Sequence, residues 1–439
     1  MKNVTVAVET LGCKVNQYES SHFLELFDAA GYSIVSSREP ADVYIVHSCA
    51  VTSRAAFQTR QLLRRVQRVN PGASVVVAGC NAQIEPERFV EERLATHVLG
   101  TIEKLDILNW IQVPASLSSP CVAVGDPREA TRLLPAPVRH MHSRARAFLK
   151  IQDGCNAFCS YCIVPRSRGR SRSLPTDEVI RQMDRFVSSG YEEVVLTGIH
   201  LGQWGNDLET PAGLADLIED LHNSTLPRRV RLSSIEPMEW TGELLRTLAD
   251  LPWICPHFHV PLQSGDGEIL AMMRRPYDPV QYGELILELR RLFPDASLGA
   301  DVMVGFPGET DKHFENTFRL IDRLPLSYLH VFPYSPRPGT EAARRPGRVA
   351  GTELKRRARV LQELGSRKRR LFQRGFVGRH VEVLAETEVS PGWWRGTSAN
   401  YLPVLFPSAR PIASGSIVVV SIDGLGSRDL QGGLASLIE

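Results

Sequence analysis

The sequence predicts an α/β protein in three parts: an N-terminal parallel α/β domain, an incomplete (β/α)6 barrel and a small C-terminal all-β barrel. Three observations lead to this class. The N-terminal quarter alternates strand and helix signals, the middle repeats a strand followed by a helix, and the end holds short strands separated by Gly and Pro turns. A chain of 439 residues is also too long for a single core.

The N-terminal domain is predicted over residues 1–113, where apolar, β-branched runs alternate with helix-like stretches. The runs are VTVAV (4–8), DVYIVHS (42–48) and SVVVAG (74–79), and the stretches between them are 16–30 and 53–69. The order βαβαβ requires a parallel sheet with helices on its faces. A segment rich in Pro and Ser, 114–143, follows and is predicted to be a linker.

The middle domain is predicted over residues 144–374. Its strand candidates are RAFLKI (146–151), EEVVLT (192–197), RVRLSS (229–234), HFHVPL (257–262), ASLGADVMV (296–304) and SYLHVF (327–332). Six βα units fit an incomplete barrel better than the eight of a closed one, and a gap in the wall would admit a large substrate. A long basic helix, about 351–374, is predicted to end the domain, and residues 375–439 are predicted to form the small β-barrel.

Composition excludes several classes of protein. Hydrophobic residues make up 43% and charged residues 23%, which is ordinary for a folded domain and excludes wholesale disorder. No run approaches the roughly 20 apolar residues of a membrane span, and no signal peptide is visible, so a cytoplasmic location is expected. In such a protein the eight cysteines favour metal binding or catalysis over disulfides.

Three cysteines form one compact motif, CNAFCSYC, directly after the first predicted barrel strand. Cys155, Cys159 and Cys162 have the spacing C-x3-C-x2-C and lie at the rim where barrel active sites are found. Three thiolates on one loop can hold three irons of a four-iron cube and leave the fourth iron open for a substrate. The alternative is a zinc loop, which would need a fourth ligand that the motif does not contain.

The motif resembles the signature of the radical S-adenosylmethionine (SAM) enzymes. The resemblance implies a [4Fe–4S] cluster whose open iron binds SAM, and reductive cleavage of SAM to a 5′-deoxyadenosyl radical. It also implies SAM contacts from Thr197 and Gly198, in the turn LTGIHLGQWG after the second barrel strand. Glu236 is a candidate for a ribose hydroxyl and Gln263 for a polar contact to the cofactor, while an ordinary loop role remains open for both.

Three further cysteines each follow one strand of the N-terminal domain, in the sequences TLGC, VHSC and VAGC. Because parallel strands end at one edge of a sheet, Cys13, Cys49 and Cys80 are predicted to converge there and to hold a second cluster. The alternative is three independent buried thiols, which the threefold repetition of the same placement disfavours. Cys121 and Cys255 lack companions at ligand spacing and are interpreted as structural thiols.

This arrangement over the whole chain resembles the methylthiotransferases, and LGCKVNQYES around Cys13 is most similar to the subgroup that acts on N6-threonylcarbamoyladenosine in tRNA. The resemblance implies two [4Fe–4S] clusters, SAM, a C-terminal TRAM domain that binds RNA, and transfer of a methylthio group to C2 of the adenine beside the anticodon. One SAM would methylate a sulfur on the cluster of Cys13, Cys49 and Cys80, and a second SAM would generate the radical on the cluster of Cys155, Cys159 and Cys162. Electron and sulfur donors are required as partners.

Basic residues are concentrated where RNA contact is expected. The segment from Lys355 to Arg379 holds ten basic residues and one acid, a charge of +9 that leaves −7 for the remainder of a chain whose net charge is +2. Four more arginines directly follow Cys162, although such runs are often only solvated. The predicted RNA-binding residues are Arg166, Arg168, Arg170, Arg172, Arg356, Arg357, Lys368, Arg369 and Arg370.

Three alternative functions remain open at this stage. Two are methylthiotransferases with other substrates, a ribosomal protein side chain or isopentenyladenosine in tRNA. The third belongs to another class, a zinc-stabilised RNA-binding protein without catalysis. No catalytic acid or base is evident from the sequence.

Overall fold

A computed structural model of the chain describes residues 4–142, 144–427 and 429–437. The N-terminal domain is a six-stranded, all-parallel sheet with the strand order β2-β1-β3-β4-β5-β6. Its strands are β1 (Thr5–Thr10), β2 (Ser33–Ile34), β3 (Val43–Ser48), β4 (Ser74–Gly79), β5 (His97–Leu99) and β6 (Cys121–Ala123). Its helices are α1 (Lys14–Ala29), α2 (Ser53–Val69), α3 (Cys80–Ile84), α4 (Pro86–Glu91) and α5 (Ile107–Trp110).

The parallel sheet is buried on both faces, as the continuous apolar runs predict. One face packs with Leu63 and Val66 of α2, and the other with Phe23 and Phe27 of α1. β3 is buried along its whole length. The predicted α/β class of this domain is confirmed.

The segment 114–143 is more than a linker. β6, which lies within it, pairs with β5 and extends the N-terminal sheet, and Leu133, Val138 and Met141 are buried in the core of the middle domain. The sequence signal was too weak to show this, because three residues of strand carry little periodicity and burial depends on the neighbouring domain. Ser143, the last residue of the predicted linker, lies outside the described residues.

The middle domain contains the six predicted barrel strands in two parallel three-stranded sheets, β7-β10-β11 and β12-β13-β14. A bridge from Val230 to Ile254 connects the sheets, so the six strands form one curved wall. β8 and β9 form a separate antiparallel pair beside it. The strands are β7 (Ala147–Lys150), β8 (Gln152–Asp153), β9 (Arg172–Ser173), β10 (Glu193–Thr197), β11 (Arg229–Leu232), β12 (His257–His259), β13 (Ser297–Val304) and β14 (Tyr328–Pro333).

Helices cover the outer side of this wall, and within the described residues β7 and β14 do not pair, so the (β/α)6 barrel is open as predicted. The helices are α6 (Val164–Arg168), α7 (Thr176–Ser188), α8 (Leu214–His222), α9 (Gly242–Ala249), α10 (Gly267–Met272), α11 (Pro279–Leu292), α12 (Asp311–Arg323) and α13 (Gly351–Arg374). Tyr18 of α1 is buried in the barrel core and donates to the Ala136 carbonyl at 2.6 Å, which fixes the N-terminal domain against the barrel.

The C-terminal segment is a closed five-stranded barrel with the order β15-β16-β17-β19-β18, so the all-β prediction is confirmed. Its strands are β15 (His380–Ser390), β16 (Trp393–Ser398), β17 (Pro403–Pro407), β18 (Ile417–Leu425) and β19 (Leu430–Leu437). Arg229 and Arg231 of β11 donate to carbonyls of residues 397–399, which attaches this barrel to the middle domain. No helix in the described part of the chain is long and apolar enough to cross a membrane.

Candidate functional site

The first thiol triad, Cys13, Cys49 and Cys80, lies at one edge of the N-terminal sheet. Cys13 and Cys49 follow β1 and β3, Cys80 follows β4 directly, and these three strands are adjacent and parallel. Gly12 has φ +105°, and a Cβ atom there would lie 2.8 Å from Cβ of Cys49. Glycine is therefore required for the backbone to let the thiols converge.

The first triad is enclosed by protein but open on one side. Burial raises the pKa of Cys13, and that of Cys49 to about 12, and neighbouring thiols of the triad add to both shifts. Cys13 is nevertheless solvent-exposed, while Cys49 and Cys80 are buried. A bound cation would favour the thiolate forms of Cys13 and Cys49, which burial disfavours.

The buried side chain of Arg168 contacts the first triad and is not accessible to RNA. Only 1% of it is exposed, and its Nε donates to Cys80 Sγ at 3.2 Å. Its Nη1 donates to both oxygens of Asp153 at 2.9 and 3.0 Å, and its Nη2 to Asn16 Oδ1 at 2.5 Å. The neighbouring Arg172 is also buried and donates to the Arg168 carbonyl. The prediction that these two arginines contact RNA is wrong, because both side chains lie inside the protein.

Glu19 of α1 is the centre of a buried charged network that the sequence analysis missed. Its carboxylate lies 2.6 Å from Lys104 Nζ and 2.8 Å from Lys150 Nζ, and Arg168 is within 3.3 Å. Although burial opposes ionisation, Lys104, Lys150 and Arg168 hold the pKa of Glu19 well below its ordinary value. Glu19 belongs to the motif LGCKVNQYES and is one of the buried residues of helix α1. An acidic residue among the buried positions of a helix is the sequence signal that could have identified this network.

The second triad lies on the loop between β8 and α6. The Cys155 amide donates to the Gly169 carbonyl, and the Cys162 amide donates to the Cys159 carbonyl at 3.0 Å, which folds the loop tightly. Gly154 has φ +75°, and a Cβ atom there would lie 1.9 Å from the Arg170 carbonyl oxygen. Burial raises the pKa of Cys162 to about 12, and the thiols of Cys159 and Cys155 contribute to the shift.

Two cationic side chains contact sulfurs of the second triad. His200 Nδ1 lies 3.3 Å from Cys155 Sγ, and its Nε2 lies 2.6 Å from Glu239 Oε1. Against the effect of burial, these two partners raise the pKa of His200 to about 10. Arg275 donates to Cys159 Sγ at 3.3 Å and forms an ion pair with Glu236. Hydrogen bonds of this kind stabilise sulfur ligands that carry negative charge.

The loops that carry the two triads pack against each other. Cys80 of the first triad and Ile163, which follows Cys162 of the second, are buried in one apolar cluster with Ala50. The Thr101 hydroxyl also donates to the Ser167 carbonyl at 2.7 Å. The two thiol triads therefore lie at one junction between the N-terminal domain and the barrel.

The thiols of each triad are not gathered closely enough to ligate one metal ion. Among the described residues, one group of three candidate ligands lies with all ligand atoms within 4.8 Å, and it is His259, Asp301 and His330 rather than either triad. A single tetrahedral zinc ion would hold its sulfurs about 3.8 Å apart. Neither triad meets the 4.8 Å limit, so their thiols are spaced more widely than the ligands of a single zinc ion.

The four residues predicted to bind SAM differ in burial and in whether their polar groups have partners. Gly198 is tightly enclosed, since a Cβ atom would lie 2.8 Å from Gln152 Oε1, and Thr197 is buried at the end of β10. Glu236 is occupied by Arg275. Gln263 is 7% exposed with φ +63°, and its buried Oε1 has no hydrogen-bond partner among the described residues. An orphaned acceptor of this kind fits an absent polar ligand.

The remaining predicted RNA contacts divide by exposure. Arg357 is 3% exposed and ion-paired with Glu309, so its assignment to RNA is wrong. Lys368 donates to the carbonyls of Asp322 and Leu324. The exposed members are Arg166, Arg170, Arg356, Arg369 and Arg370.

A second basic helix, α2, was overlooked in the sequence because its charges do not form a continuous run. It contains five arginines and no acid, and it begins four residues after Cys49. Arg54 and Arg68 are exposed without an acidic partner in the described structure, and Arg60 lies over the exposed ring of Phe57. This face offers cations and an aromatic surface beside the first triad.

Comparison with known proteins agrees with this geometry. Residues 149–321 match the Radical SAM superfamily, and residues 5–100 match the Uncharacterized protein family UPF0004. The chain is 35% identical over 440 residues to the threonylcarbamoyladenosine tRNA methylthiotransferase MtaB of Bacillus subtilis, covering 99% of this chain and 97% of that protein. It is 34% identical over 426 residues to the tRNA-2-methylthio-N(6)-dimethylallyladenosine synthase of Moorella thermoacetica, covering 95% of each.

Among solved structures, the radical SAM methyltransferase TsrM from Kitasatospora setae shares the fold with a TM-score of 0.58 at 16% identity, covering 78% of this chain and 75% of that one. The fold and the thiol triads define a radical SAM enzyme. The chain belongs to the radical SAM methylthiotransferase family, a family of transferases. Its cofactors are SAM and [4Fe–4S] clusters, two in enzymes of this kind.

Proposed function

We propose that this enzyme adds a methylthio group to C2 of N6-threonylcarbamoyladenosine in tRNA. The observation that carries the proposal is the junction of the two thiol triads, because a reaction that joins sulfur to an unactivated carbon needs both centres at one substrate atom. Relatives named for threonylcarbamoyladenosine align over nearly the whole chain. The motif LGCKVNQYES supports the same substrate.

In this proposal Cys13, Cys49 and Cys80 hold one cluster, and Cys155, Cys159 and Cys162 hold the other. When bound, the clusters and SAM supply the sulfur, the methyl group and the radical that removes the C2 hydrogen. Arg168, His200 and Arg275 stabilise the cysteine sulfurs through hydrogen bonds. Gln263, whose Oε1 has no partner among the described residues, would accept a hydrogen bond from a donor group of SAM, and Thr197, Gly198 and Glu236 would supply further contacts to SAM.

The tRNA would lie across the exposed cations of α13 and α2, with the β-barrel as a further RNA-binding surface of the TRAM type. Arginines 369 and 370 and the α2 arginines 54 and 68 are exposed and have no acidic partner among the described residues, so they are available for phosphates. An electron donor and a sulfur donor are required as partners. The site of action is the cytoplasm, where tRNA is modified.

Nucleoside mass spectrometry of tRNA from a strain lacking this gene tests the substrate. Loss of 2-methylthio-N6-threonylcarbamoyladenosine, restored by the wild-type gene and not by a Cys49→Ala variant, is the expected result. Loss of the isopentenyladenosine derivative, or of a methylthio group on a ribosomal protein, would assign one of the other substrates.

Anaerobic purification tests the class of protein. Roughly eight irons per chain are expected for two four-iron clusters. Stoichiometric zinc without iron would instead support a non-catalytic RNA-binding protein.

A further inference from the structure

A pocket of about 300 Å³ lies where all three domains meet. The N-terminal domain contributes Lys14, the residue after the candidate ligand Cys13. Phe148 and Val195 of the barrel strands form an apolar wall. The other lining residues are Arg144, Ala145, Arg146, Arg231, Glu386, Thr387, Thr397 and Tyr401.

The pocket has more positive than negative charge. Arg146, Arg229 and Arg231 all contact the single carboxylate of Glu193, and Arg146 also contacts Glu386. Together with Lys14 and the exposed Arg144, this gives five cations against the two carboxylates of Glu193 and Glu386. Asp301 also acts on Lys14 electrostatically, but its carboxylate is engaged by two histidines. An excess of partly buried positive charge favours the binding of an anion.

Three charged or aromatic side chains in the pocket have no partner among the described residues. Neither Lys14 Nζ, the Arg144 guanidinium nor the Tyr401 hydroxyl makes a hydrogen bond or ion pair with any residue that the structure describes. The guanidinium of Arg231, by contrast, is satisfied by Glu193 and by carbonyls of residues 398 and 399. Of the three available groups, Arg144 is exposed, whereas Lys14 and Tyr401 are half-buried in the pocket.

Tyr401 is held in the pocket by a costly backbone conformation. Its φ is +64°, in the left-handed region that non-glycine residues rarely adopt, and its amide donates to the Ser398 carbonyl at 2.9 Å. Its ring stacks on His257 with centroids 4.4 Å apart and lies 5.0 Å from the Arg231 guanidinium carbon. Such strain at a pocket wall is typical of a residue positioned for binding.

We infer that Lys14 and Tyr401 bind the threonyl carboxylate and hydroxyl of the modified adenosine, with Lys14 as the specificity-determining residue. The inference rests on the proposed function and names the recognition element. The carboxylate is the charge that distinguishes threonylcarbamoyladenosine from adenosine and from dimethylallyladenosine. N6 and C2 lie on the same edge of adenine, and Lys14 is adjacent in sequence to the candidate ligand Cys13, so a base that presents C2 to the thiol triads can place its N6 substituent in this pocket.

Binding of anticodon stem-loops to the cluster-loaded enzyme tests the inference. The probes carry threonylcarbamoyladenosine, its threonine methyl ester, or unmodified adenosine. Wild type should bind the acid about 10- to 100-fold more tightly than the ester, the strength of a hydrogen bond between charged groups. Lys14→Gln should abolish this difference and leave affinity for the unmodified loop unchanged. Tyr401→Phe should reduce the preference for the acid over the ester several-fold.

Lys312→Gln, at an exposed lysine of α12, is the matched control and should behave as wild type. Iron content and circular dichroism verify that each variant is folded and loaded. An equal loss of affinity for all three loops would assign Lys14 to a phosphate, and weaker SAM binding would assign it to the SAM carboxylate; either result overturns the inference. The inference is also overturned if the Lys14→Gln variant still prefers the acid over the ester as strongly as wild type does, while wild type forms the methylthio product. Absence of that product from wild type would instead refute the proposed function.

Discussion

The Nε atom of Arg168 lies 3.2 Å from the Sγ atom of Cys80, although 88 positions separate the two residues. Arg168 follows the second thiol triad in the chain, and Cys80 belongs to the first. One buried guanidinium thus connects the loop of one candidate cluster to a ligand of the other, and it also neutralises Asp153 and Glu19. This contact is one of several that join the two domains, beside the Tyr18–Ala136 and Thr101–Ser167 hydrogen bonds.

Replacement of Arg168 by Gln should destabilise the enzyme and release iron from the first triad. The change leaves Asp153 and Glu19 with one cation fewer in a buried site, which should lower the free energy of unfolding by about 3–5 kcal/mol. Thermal unfolding and iron content after anaerobic reconstitution measure the two effects. The exposed Arg170 provides the control, since Arg170→Gln should change neither value. Equal stability of both variants would contradict the buried role of Arg168.

Replacement of Cys159 by Ala should abolish SAM cleavage while the first cluster persists. Iron should fall from about eight to about four atoms per chain, and the absorbance of the remaining cluster should stay. Anaerobic product analysis for 5′-deoxyadenosine measures the cleavage. Cys121→Ser, at a thiol of β6, should retain full iron content and full cleavage. Continued cleavage by the Cys159 variant would show that the ligands are misassigned.

Replacement of Glu193 by Gln should loosen the C-terminal barrel. Arg146, Arg229 and Arg231 would lose their shared carboxylate, which should lower the free energy of unfolding by about 3–5 kcal/mol. Despite burial, Arg231 and its neighbours depress the pKa of Glu193 far below its ordinary value. A depressed pKa gives stability that is fully present above the unfolded value and lost only in stronger acid. The difference between wild type and variant in urea unfolding should therefore be constant from pH 6 to 8; a steep change there would contradict the pairing.

The double replacement of Arg369 and Arg370 by Gln should weaken the binding of tRNAs of different sequence to the same extent. Both side chains are exposed on α13. Removal of two phosphate contacts should reduce the magnitude of the slope of log K against log salt concentration by about two. Filter binding over a range of salt concentrations measures the slope. Arg319→Gln, at an exposed arginine of α12 paired with Glu315, is the control. An unchanged slope in the double variant would place the tRNA elsewhere.

Local sequence patterns determined much of this protein. Strand periodicity located the six barrel strands, and the cysteines could be placed at one edge because parallel strands must end on the same side of a sheet. The motif C-x3-C-x2-C identified its loop because short spacing alone brings its thiols together. The particular roles of cysteines 13, 49 and 80 as ligands remain predictions that their positions support.

Tertiary structure decided which charges are outside and which are inside. Arg168, Arg172 and Arg357 occur in runs that look like exposed basic surface, yet all three are buried. Arg168 pairs with Asp153 and Arg357 with Glu309, while Arg172 donates to the nearby Arg168 carbonyl. Glu19 is buried as well, and its cations come from three separate segments. The environment of a charged side chain depends on what packs over it, and that partner is set by the domain arrangement rather than by neighbours in the chain.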